Sequence, residues 1–206
     1  SLIEEQRHIL AQIVTTVKER HIDAVLVAGD VYDRSVASED AVALLDDFLV
    51  QMAALSTTVF IISGNHDSGD RLNFGRRFFC HQNIHIAGTY APALGKVTLM
   101  DAAGPVHFYL LPYVTKAAIR HAWPEETMDS YDAAIGAAID HAGVDFTARN
   151  VIVAHQFVAH GATRPQVGGS EVMAASVGTI EAIESGVFDG FDYVALGHIH
   201  RPQWIG

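Results

Sequence analysis

Four short segments of the sequence carry carboxylate, amide and imidazole side chains, and each segment follows a short apolar run. The first segment contains Asp30, the second contains Asn65, the third is His155, and the fourth contains His198 and His200. Carboxylate oxygen, amide oxygen and imidazole nitrogen suit manganese, iron, magnesium or zinc, and no thiolate accompanies them. We therefore predict that these five side chains bind divalent metal ions.

These ligands could hold a pair of divalent ions, and such a pair has a specific chemical function. Two ions about 3.5–4 Å apart clamp a phosphate group, activate a water molecule and stabilise the negative charge that develops during hydrolysis. Asp30 has two carboxylate oxygens and can bridge both ions. His66, which follows the ligand Asn65, is expected to face the leaving group and to protonate it or stabilise its charge.

Five further polar residues lie in or just after the first two segments. Asp33 and Arg34 are interpreted as an ion pair that supports the first loop, and Asp67 is expected to support the second. Arg71 and Asn73 follow the second loop and are candidates for contacting the backbone of a nucleic acid. The alternative for Arg71 and Asn73 is the solvated start of a helix.

The elements that must position these segments alternate between helices and apolar strands, which predicts an α/β fold. Helices are predicted over residues 3–20, 38–55, 71–79 and 130–142. Strands are predicted over residues 24–28, 59–62, 84–87, 96–100, 106–111, 151–154 and 192–196. Sites in parallel α/β folds form beyond the carboxyl ends of strands, so the four segments are expected to meet at one edge.

Composition bounds the possible classes of protein. The chain has 206 residues, half of them hydrophobic, which predicts one domain with one sizeable core. The net charge of −11 argues against binding nucleic acid over the whole surface, but metal-binding carboxylates keep a nuclease compatible with this charge. The single cysteine, Cys80, excludes an internal disulfide framework and favours the cytoplasm, and its aromatic neighbours indicate a buried position.

No single segment is specific by itself. Only four of the 12 histidines lie in the four segments, and Gly-Asp or Gly-Asn after a strand is a common turn. The prediction of a metal site depends on the occurrence of all four segments in this order. The glycine before each of Asp30, Asn65 and His198 is expected to let the backbone turn sharply at the strand end. Residues 161–178 are glycine-rich and are predicted to form a long functional loop.

The order and spacing of the four segments resemble the calcineurin-like metallophosphoesterases. The matching residues are Gly29-Asp30 with Asp33-Arg34, then Gly64-Asn65-His66-Asp67, then His155, then Gly197-His198 with His200. Finer features resemble one branch of the family, the SbcD nuclease subunits of bacterial SbcC–SbcD complexes. These features lie in residues 23–34, 63–68 and 191–203, and in the loop that contains Ser170 and Glu171.

The resemblance implies a four-layer α-β-β-α sandwich of two mixed β-sheets flanked by helices. It also implies a dinuclear site at one sheet edge, which most often holds manganese, with magnesium, iron or zinc as alternatives. By position, Asp30 bridges both ions, and Asn65, His155 and His198 complete one metal site. His200 belongs to the other metal site.

The sequence departs from the family pattern at its start. The family opens with a strand that ends in Asp-x-His, and those two residues bind the metal shared with His200. This sequence contains no Asp-x-His, and residues 1–20 resemble the helix that normally follows that motif. We expect that the first strand is absent from this sequence, as are the capping and partner-binding segments that follow residue 206 in the family. Natural loss of the motif is the alternative.

The branch resemblance implies a metal-dependent DNA nuclease, acting as an exonuclease or endonuclease in repair and recombination. His66 corresponds to the catalytic histidine of the family. The implied partners are DNA, an SbcC-like ATPase subunit and a second copy of the chain in a homodimer. A small-molecule phosphodiesterase of the same superfamily is one alternative, because it would use the same ligands. A non-catalytic scaffold that has lost one metal site is the other.

Overall fold

The computed structural model describes residues 2–163, 165–166 and 181–206. The predicted loop over residues 161–178 therefore falls mostly outside the described residues, as do Ser170 and Glu171. All other segments that carry predicted site residues are described.

Three of the four predicted helices are present, and three of the observed helices have a side-chain cap at their start. Their bounds are α1 Leu2–Arg20, α2 Glu39–Ala53, α3 Gly69–Leu72, α4 Arg76–Phe79, α5 Lys116–Ala122 and α6 Tyr131–Asp140. The hydroxyl groups of Ser38, Thr115 and Ser130 each accept a hydrogen bond from a backbone N–H in the first turn of the helix that follows. None of the helices within the described ranges combines the length and the apolar character that a bilayer crossing requires.

The strands form two large sheets and one small one. Their bounds are β1 Ala24–Ala28, β2 Thr58–Ile62, β3 Ile84–Ala87, β4 Gly95–Asp101, β5 Gly104–Leu111, β6 Arg149–Ala154, β7 Val158–Ala159, β8 Ile183–Glu184 and β9 Tyr193–Leu196. The first sheet has the order β1-β2-β3 and is parallel throughout. The second has the order β4-β5-β6-β9, in which only the β4–β5 hairpin is antiparallel. The short strands β7 and β8 pair with each other.

The two large sheets pack face to face, and helices cover their outer faces. Phe60 of β2 and Phe108 of β5 stack between the sheets with ring centroids 4.5 Å apart. Val59 and Ile61 of β2 face the opposite way and pack in the cluster with α1 and α2. On the far side, Tyr109 and other residues of the second sheet pack against α5 and α6. This arrangement confirms the predicted sandwich of two mixed sheets flanked by helices.

Several local predictions were wrong. Residues 71–79 do not form one helix, because the chain turns at Gly75, whose φ of +73° breaks the segment into α3 and α4. Helix α5 was not predicted. The short apolar run of β1 is of a length typical of a buried strand, but the strand is only partly buried, since it lies at one end of its sheet. Cys80 is exposed rather than buried, and its thiol donates to the backbone oxygen of Arg77.

Candidate metal centre

The four predicted segments meet at one edge of the sandwich, beyond the carboxyl ends of β1, β2, β6 and β9. His155 Nε2 lies 3.2 Å from Asp30 Oδ2 and 3.2 Å from Asn65 Oδ1. The same Asn65 oxygen lies 2.9 Å from His198 Nδ1. Two of these side chains come from loops of the first sheet and two from loops of the second. The predicted convergence of the four segments is thus confirmed.

The hydrogen bond of His155 to the backbone fixes the chemistry of this cluster. His155 is 1% exposed, and its Nδ1 lies 2.6 Å from the backbone oxygen of Ala28. A carbonyl oxygen only accepts, so Nδ1 carries a proton, and Nε2 is the nitrogen that presents a lone pair when the ring binds a metal ion. That lone pair faces the oxygens of Asp30 and Asn65, which are also acceptors. A cluster of acceptors without a proton between them is suited to a cation.

The spacing of the acceptors fits a metal ion. Ligands about 2.1 Å from an ion and at right angles to each other are separated by about 3.0 Å. Three separations in the cluster, His155 to Asp30, His155 to Asn65 and His198 to Asn65, are 3.2, 3.2 and 2.9 Å. A backbone carbonyl that receives the other ring N–H is also the usual second partner of a metal-bound histidine. The donor set therefore fits the divalent ion predicted from the sequence.

Three glycines allow the loops to approach this closely. A Cβ atom on Gly29 would lie 2.2 Å from His155 Nδ1, and one on Gly64 would lie 2.1 Å from Asp30 Oδ1. A Cβ atom on Gly197 would lie 1.8 Å from a backbone carbonyl oxygen of β1. The expected sharp turn holds for Gly29, whose φ is +85°. Gly64 and Gly197 have no positive φ and are required for space instead.

Two of the predicted ligands have an uncommon backbone conformation. Asp30 has a φ of +48° and His198 has a φ of +75°, which places both residues in the left-handed region. Aspartate and histidine adopt this region more often than most residues with a side chain, but it is uncommon for both. Such conformations persist where the surrounding structure requires them, often at functional sites.

Asp67 ties the first two loops together. Its carboxylate accepts hydrogen bonds from the backbone N–H groups of Val31 at 3.1 Å, Tyr32 at 2.8 Å and Gly64 at 2.7 Å. The first two donors belong to the Asp30 loop and the third to the Asn65 loop. Asp67 therefore has the supporting geometry that the sequence predicted.

The Asp30 loop contains the predicted ion pair. The carboxylate of Asp33 accepts from the guanidinium of Arg34 at 2.7 Å, and both side chains are exposed. This guanidinium lowers the pKa of Asp33 below its ordinary value. An exposed pair of this kind contributes little stability. The backbone carbonyl of Asp33 makes a more specific contact, because it accepts a hydrogen bond from the ring of His66.

His66 stands beside the acceptor cluster and is held at two points. Its backbone N–H donates to Asp30 Oδ1 at 3.0 Å, and its Nδ1 lies 2.9 Å from the backbone oxygen of Asp33. The carbonyl can only accept, so Nδ1 carries a proton and Nε2 remains for another partner. The side chain is exposed. His66 thus combines a fixed ring with an accessible Nε2.

Asp30 is ionised near neutral pH. Burial by itself would raise the pKa of Asp30, but the pKa lies below its ordinary value, in part because the backbone N–H of His66 donates to the carboxylate. A carboxylate that stays ionised is the form that binds a cation.

His200 and Arg71 lie outside the contacts described so far. His200 is exposed and lines a surface cavity together with Arg201 and Trp204. Across the described ranges, no group of three or more His, Cys, Asp and Glu side chains is arranged to hold a metal ion. The cluster therefore depends on the amide of Asn65. Arg71 is exposed, and its guanidinium has no hydrogen bond or ion pair with any residue that the structure describes.

Asn73 has a structural contact at each amide atom. Its Oδ1 accepts from the N–H of Gly88 at 2.8 Å, and its Nδ2 donates to Thr89 Oγ1 at 2.9 Å. These bonds fasten the turn between α3 and α4 to the segment that follows β3. Both hydrogen-bonding ends of the amide are thus used within the fold.

Two contributors to the centre were missed by sequence reasoning. The first is the Ala28 carbonyl, which carries no signature in the sequence because every residue has one. The second is Tyr113, whose ring meets that of His155 edge-on at 6.4 Å and whose N–H donates to the backbone oxygen of Ser63 at 2.9 Å. Tyr113 closely follows the end of β5, so the rule that selected the other four segments would have found it.

A two-sheet α/β sandwich that gathers carboxylate, amide and imidazole groups at one edge has the donor set that metal-dependent phosphoester hydrolysis requires. The sequence profile of the calcineurin-like phosphoesterases matches residues 3–202. The chain therefore belongs to the calcineurin-like phosphoesterase family. This family generally uses two divalent metal ions for phosphoester hydrolysis.

Proposed function

We propose that the protein is a metal-dependent DNA nuclease that works in the cytoplasm in repair and recombination. In this proposal it acts on DNA as a homodimer with an SbcC-like ATPase subunit, and its two ions are manganese. The observation that carries the hydrolytic part is the cluster of acceptor atoms from Asp30, Asn65, His155 and His198 beside the fixed ring of His66.

The residues of the centre have separate tasks in this proposal. Asp30, Asn65, His155, His198 and His200 hold the metal ions. When bound, divalent ions supply Lewis-acid stabilisation of the charge that develops on the phosphoryl oxygens.

His66 acts on the leaving group. Its Nδ1 bond to the Asp33 carbonyl orients the ring and leaves Nε2 for the substrate. A protonated Nε2 donates its proton to the leaving oxygen, or stabilises the charge there by a hydrogen bond. Because His66 is not a metal ligand in this proposal, its removal separates the chemical step from metal binding.

Two observations support DNA over a small phosphodiester. The stretches over residues 23–34, 63–68 and 191–203 are similar to the nuclease branch of the family. Arg71, directly after the Asn65 loop, is exposed and its guanidinium is unpaired within the described part of the chain. Arginines of this kind contact the backbone phosphates of nucleic acids, whereas a small ester has no flanking phosphates to contact.

The test is manganese-dependent cleavage of linear duplex DNA, measured beside hydrolysis of bis(p-nitrophenyl) phosphate. We expect the protein to cleave DNA and His66→Ala to lower the rate by ~100-fold or more. The metal content of His66→Ala, measured by mass spectrometry, should match that of the unmodified protein. His121→Ala is the control, because His121 is an exposed histidine on α5, away from the centre.

Other outcomes would redirect the assignment. Turnover of the small ester without cleavage of DNA would favour a small-molecule phosphodiesterase. No turnover of either substrate, with the ATPase partner added, would favour a non-catalytic scaffold. Equal loss of metal and activity in His66→Ala would contradict the role given to His66.

A further inference from the structure

A cavity of about 290 Å³ opens between the edge strand β3 of the first sheet and the β4–β5 hairpin of the second. Helix α4 contributes Arg76 and Arg77 to its wall, β3 contributes His85, and the segment after β3 contributes Thr89. None of the predicted metal ligands lines it. The cavity is therefore distinct from the metal centre in its residues.

The charge of the cavity wall is opposite to that of the chain. The whole sequence has 24 acidic and 13 basic residues, yet the wall contains Arg76, Arg77 and Lys96 and no aspartate or glutamate. The ammonium of Lys96 lies 5.6 Å from the centre of the Tyr109 ring, so the two arginines are the principal donors. A wall of this sign attracts anions.

The guanidinium groups of Arg76 and Arg77 do not take part in the hydrogen bonds and ion pairs of the fold. Neither guanidinium forms a hydrogen bond or ion pair with any residue in the described part of the chain. Elsewhere on the surface, Arg7, Arg34 and Arg149 each pair with a carboxylate. Two adjacent unpaired arginines in an acidic protein leave ten N–H donors for an outside anion.

His85 provides a polar group deeper in the wall. Its ring stacks on Phe60 at a centroid distance of 5.6 Å and is half-buried. Neither ring nitrogen has a hydrogen-bond partner among the described residues. Burial lowers the pKa of His85. A half-buried imidazole without a partner is costly, and an anion that accepts from it would offset this cost.

Thr89 has a hydroxyl proton to donate. Its Oγ1 already accepts from Asn73 Nδ2 at 2.9 Å, so the remaining capacity of the hydroxyl includes its O–H donor. The wall thus offers guanidinium, imidazole and hydroxyl donors and no carboxylate. This combination matches the several acceptor oxygens of a phosphate group.

We propose that this cavity binds the phosphate group of a nucleotide, through Arg76, Arg77, His85 and Thr89. Its volume of about 290 Å³ lies just below the roughly 300–1,000 Å³ of ligand pockets, which suits a small group such as one nucleotide. The nucleotide is either free or part of a nucleic-acid strand, since both present the same phosphate chemistry. The site goes beyond the proposed nuclease activity and does not depend on it, because no metal ligand takes part.

The test is ligand binding to the protein in EDTA, so that the metal centre cannot contribute. The probes are inorganic phosphate, thymidine monophosphate and a 5′-phosphorylated oligothymidylate. The readout is the NMR shift of the His85 ring, assigned by its loss in His85→Gln, together with calorimetry. We expect the probes to shift the His85 resonances, and R76Q/R77Q to weaken binding by about tenfold or more.

Arg120→Gln is the matched control, because Arg120 is an exposed arginine on α5 without a carboxylate partner among the described residues. Equal affinity for the monophosphate and the oligonucleotide would identify a free nucleotide as the ligand. Tighter binding of the oligonucleotide would identify a strand. An unshifted His85 with all three probes, or equal binding by R76Q/R77Q and Arg120→Gln, would overturn the proposal.

Discussion

The polar groups at the two ends of strand β6 differ in the partners that they meet. At the amino end, donors meet acceptors. Arg149 donates to both carboxylate oxygens of Asp101, at 2.8 and 2.7 Å, and also to the Gly104 carbonyl at 2.8 Å. The N–H of Asn150 donates to Asp192 at 2.7 Å. This end holds the β4–β5 hairpin and the approach to β9 in place.

At the carboxyl end of β6, acceptors meet acceptors. His155 directs a lone pair at the oxygens of Asp30 and Asn65, and glycines bring the loops close enough for this to occur. At the amino end, Arg149 and the Asn150 N–H find acceptors within the chain, although the buried Oδ1 of Asn150 has no partner among the described residues. At the carboxyl end the acceptors outnumber the donors, a composition that suits a cation. The difference distinguishes polar groups that stabilise the fold from polar groups reserved for a ligand.

Of the four substitutions, Asp30→Asn should have the largest effect on the difference between the two ends of β6. The amide can keep an oxygen for the His66 N–H and direct its NH₂ at His155 Nε2, so the metal-free protein gains about 1 kcal/mol of unfolding free energy. Loss of the carboxylate charge should lower metal-dependent hydrolysis by ~100-fold or more. Urea unfolding in EDTA and a manganese-dependent assay measure the two effects. A parallel loss of stability and activity would argue against a surplus of acceptors.

Gly197→Ala tests the close approach of the loops. The new Cβ would lie 1.8 Å from the Ala28 carbonyl oxygen, so we expect a loss of about 3 kcal/mol of unfolding free energy. Gly136→Ala on α6 is the control, because its Cβ would meet nothing within 4 Å. In a helix interior that change should add about 0.5–1 kcal/mol. Equal effects of the two substitutions in urea unfolding would refute the steric explanation.

Asp67→Asn tests the bond between the first two loops. An amide NH₂ would replace one acceptor oxygen opposite the N–H groups of Val31, Tyr32 and Gly64. We expect a loss of about 2 kcal/mol of unfolding free energy and a weaker affinity for manganese. Asp70→Asn, an exposed position on α3, should change the same quantity by less than about 0.5 kcal/mol. If both variants unfold alike, Asp67 does not organise the loops.

Asp101→Asn tests the ion pair at the amino end of β6 and should have the smallest effect of the four substitutions. Hydrogen bonds from Arg149 lower the pKa of Asp101 to about 2, so the carboxylate stabilises the fold above its ordinary pKa. The variant should unfold at a lower urea concentration near neutral pH, with metal affinity unchanged. This difference should shrink as the pH falls toward about 2, where Asp101 becomes protonated. A difference that persists in acid would show that charge is not the cause.

Much of this fold could be predicted because its signals are local. The strands that precede the four segments are short apolar runs, and Ser38 and Ser130 stand where capping residues start helices. Helix α5 was missed because seven residues are too few to display helical periodicity. The break between α3 and α4 lies at Gly75, and the hydrogen bonds of Asn73 that fasten this turn reach another segment, which the local sequence does not reveal.

The same difference between local signals and distant partners applies to the candidate site. Residue type and position after a strand were enough to select Asp30, Asn65, His155 and His198. The reasons for Gly64 and Gly197 could not be predicted, because the atoms that exclude a side chain there belong to distant loops. The proton position on His155 likewise depends on a backbone carbonyl 127 residues away.

The division of the ligands between two sheets sets an order of events during synthesis. Asp30 and Asn65 leave the ribosome long before His155 and His198, and β6 and β9 must join the second sheet before their loops reach the first. A nascent chain that has completed only its first sheet therefore holds half a site. If the proposed site binds its ions, tight capture becomes possible only after both sheets have formed, so metal content would report how many molecules have completed the sandwich.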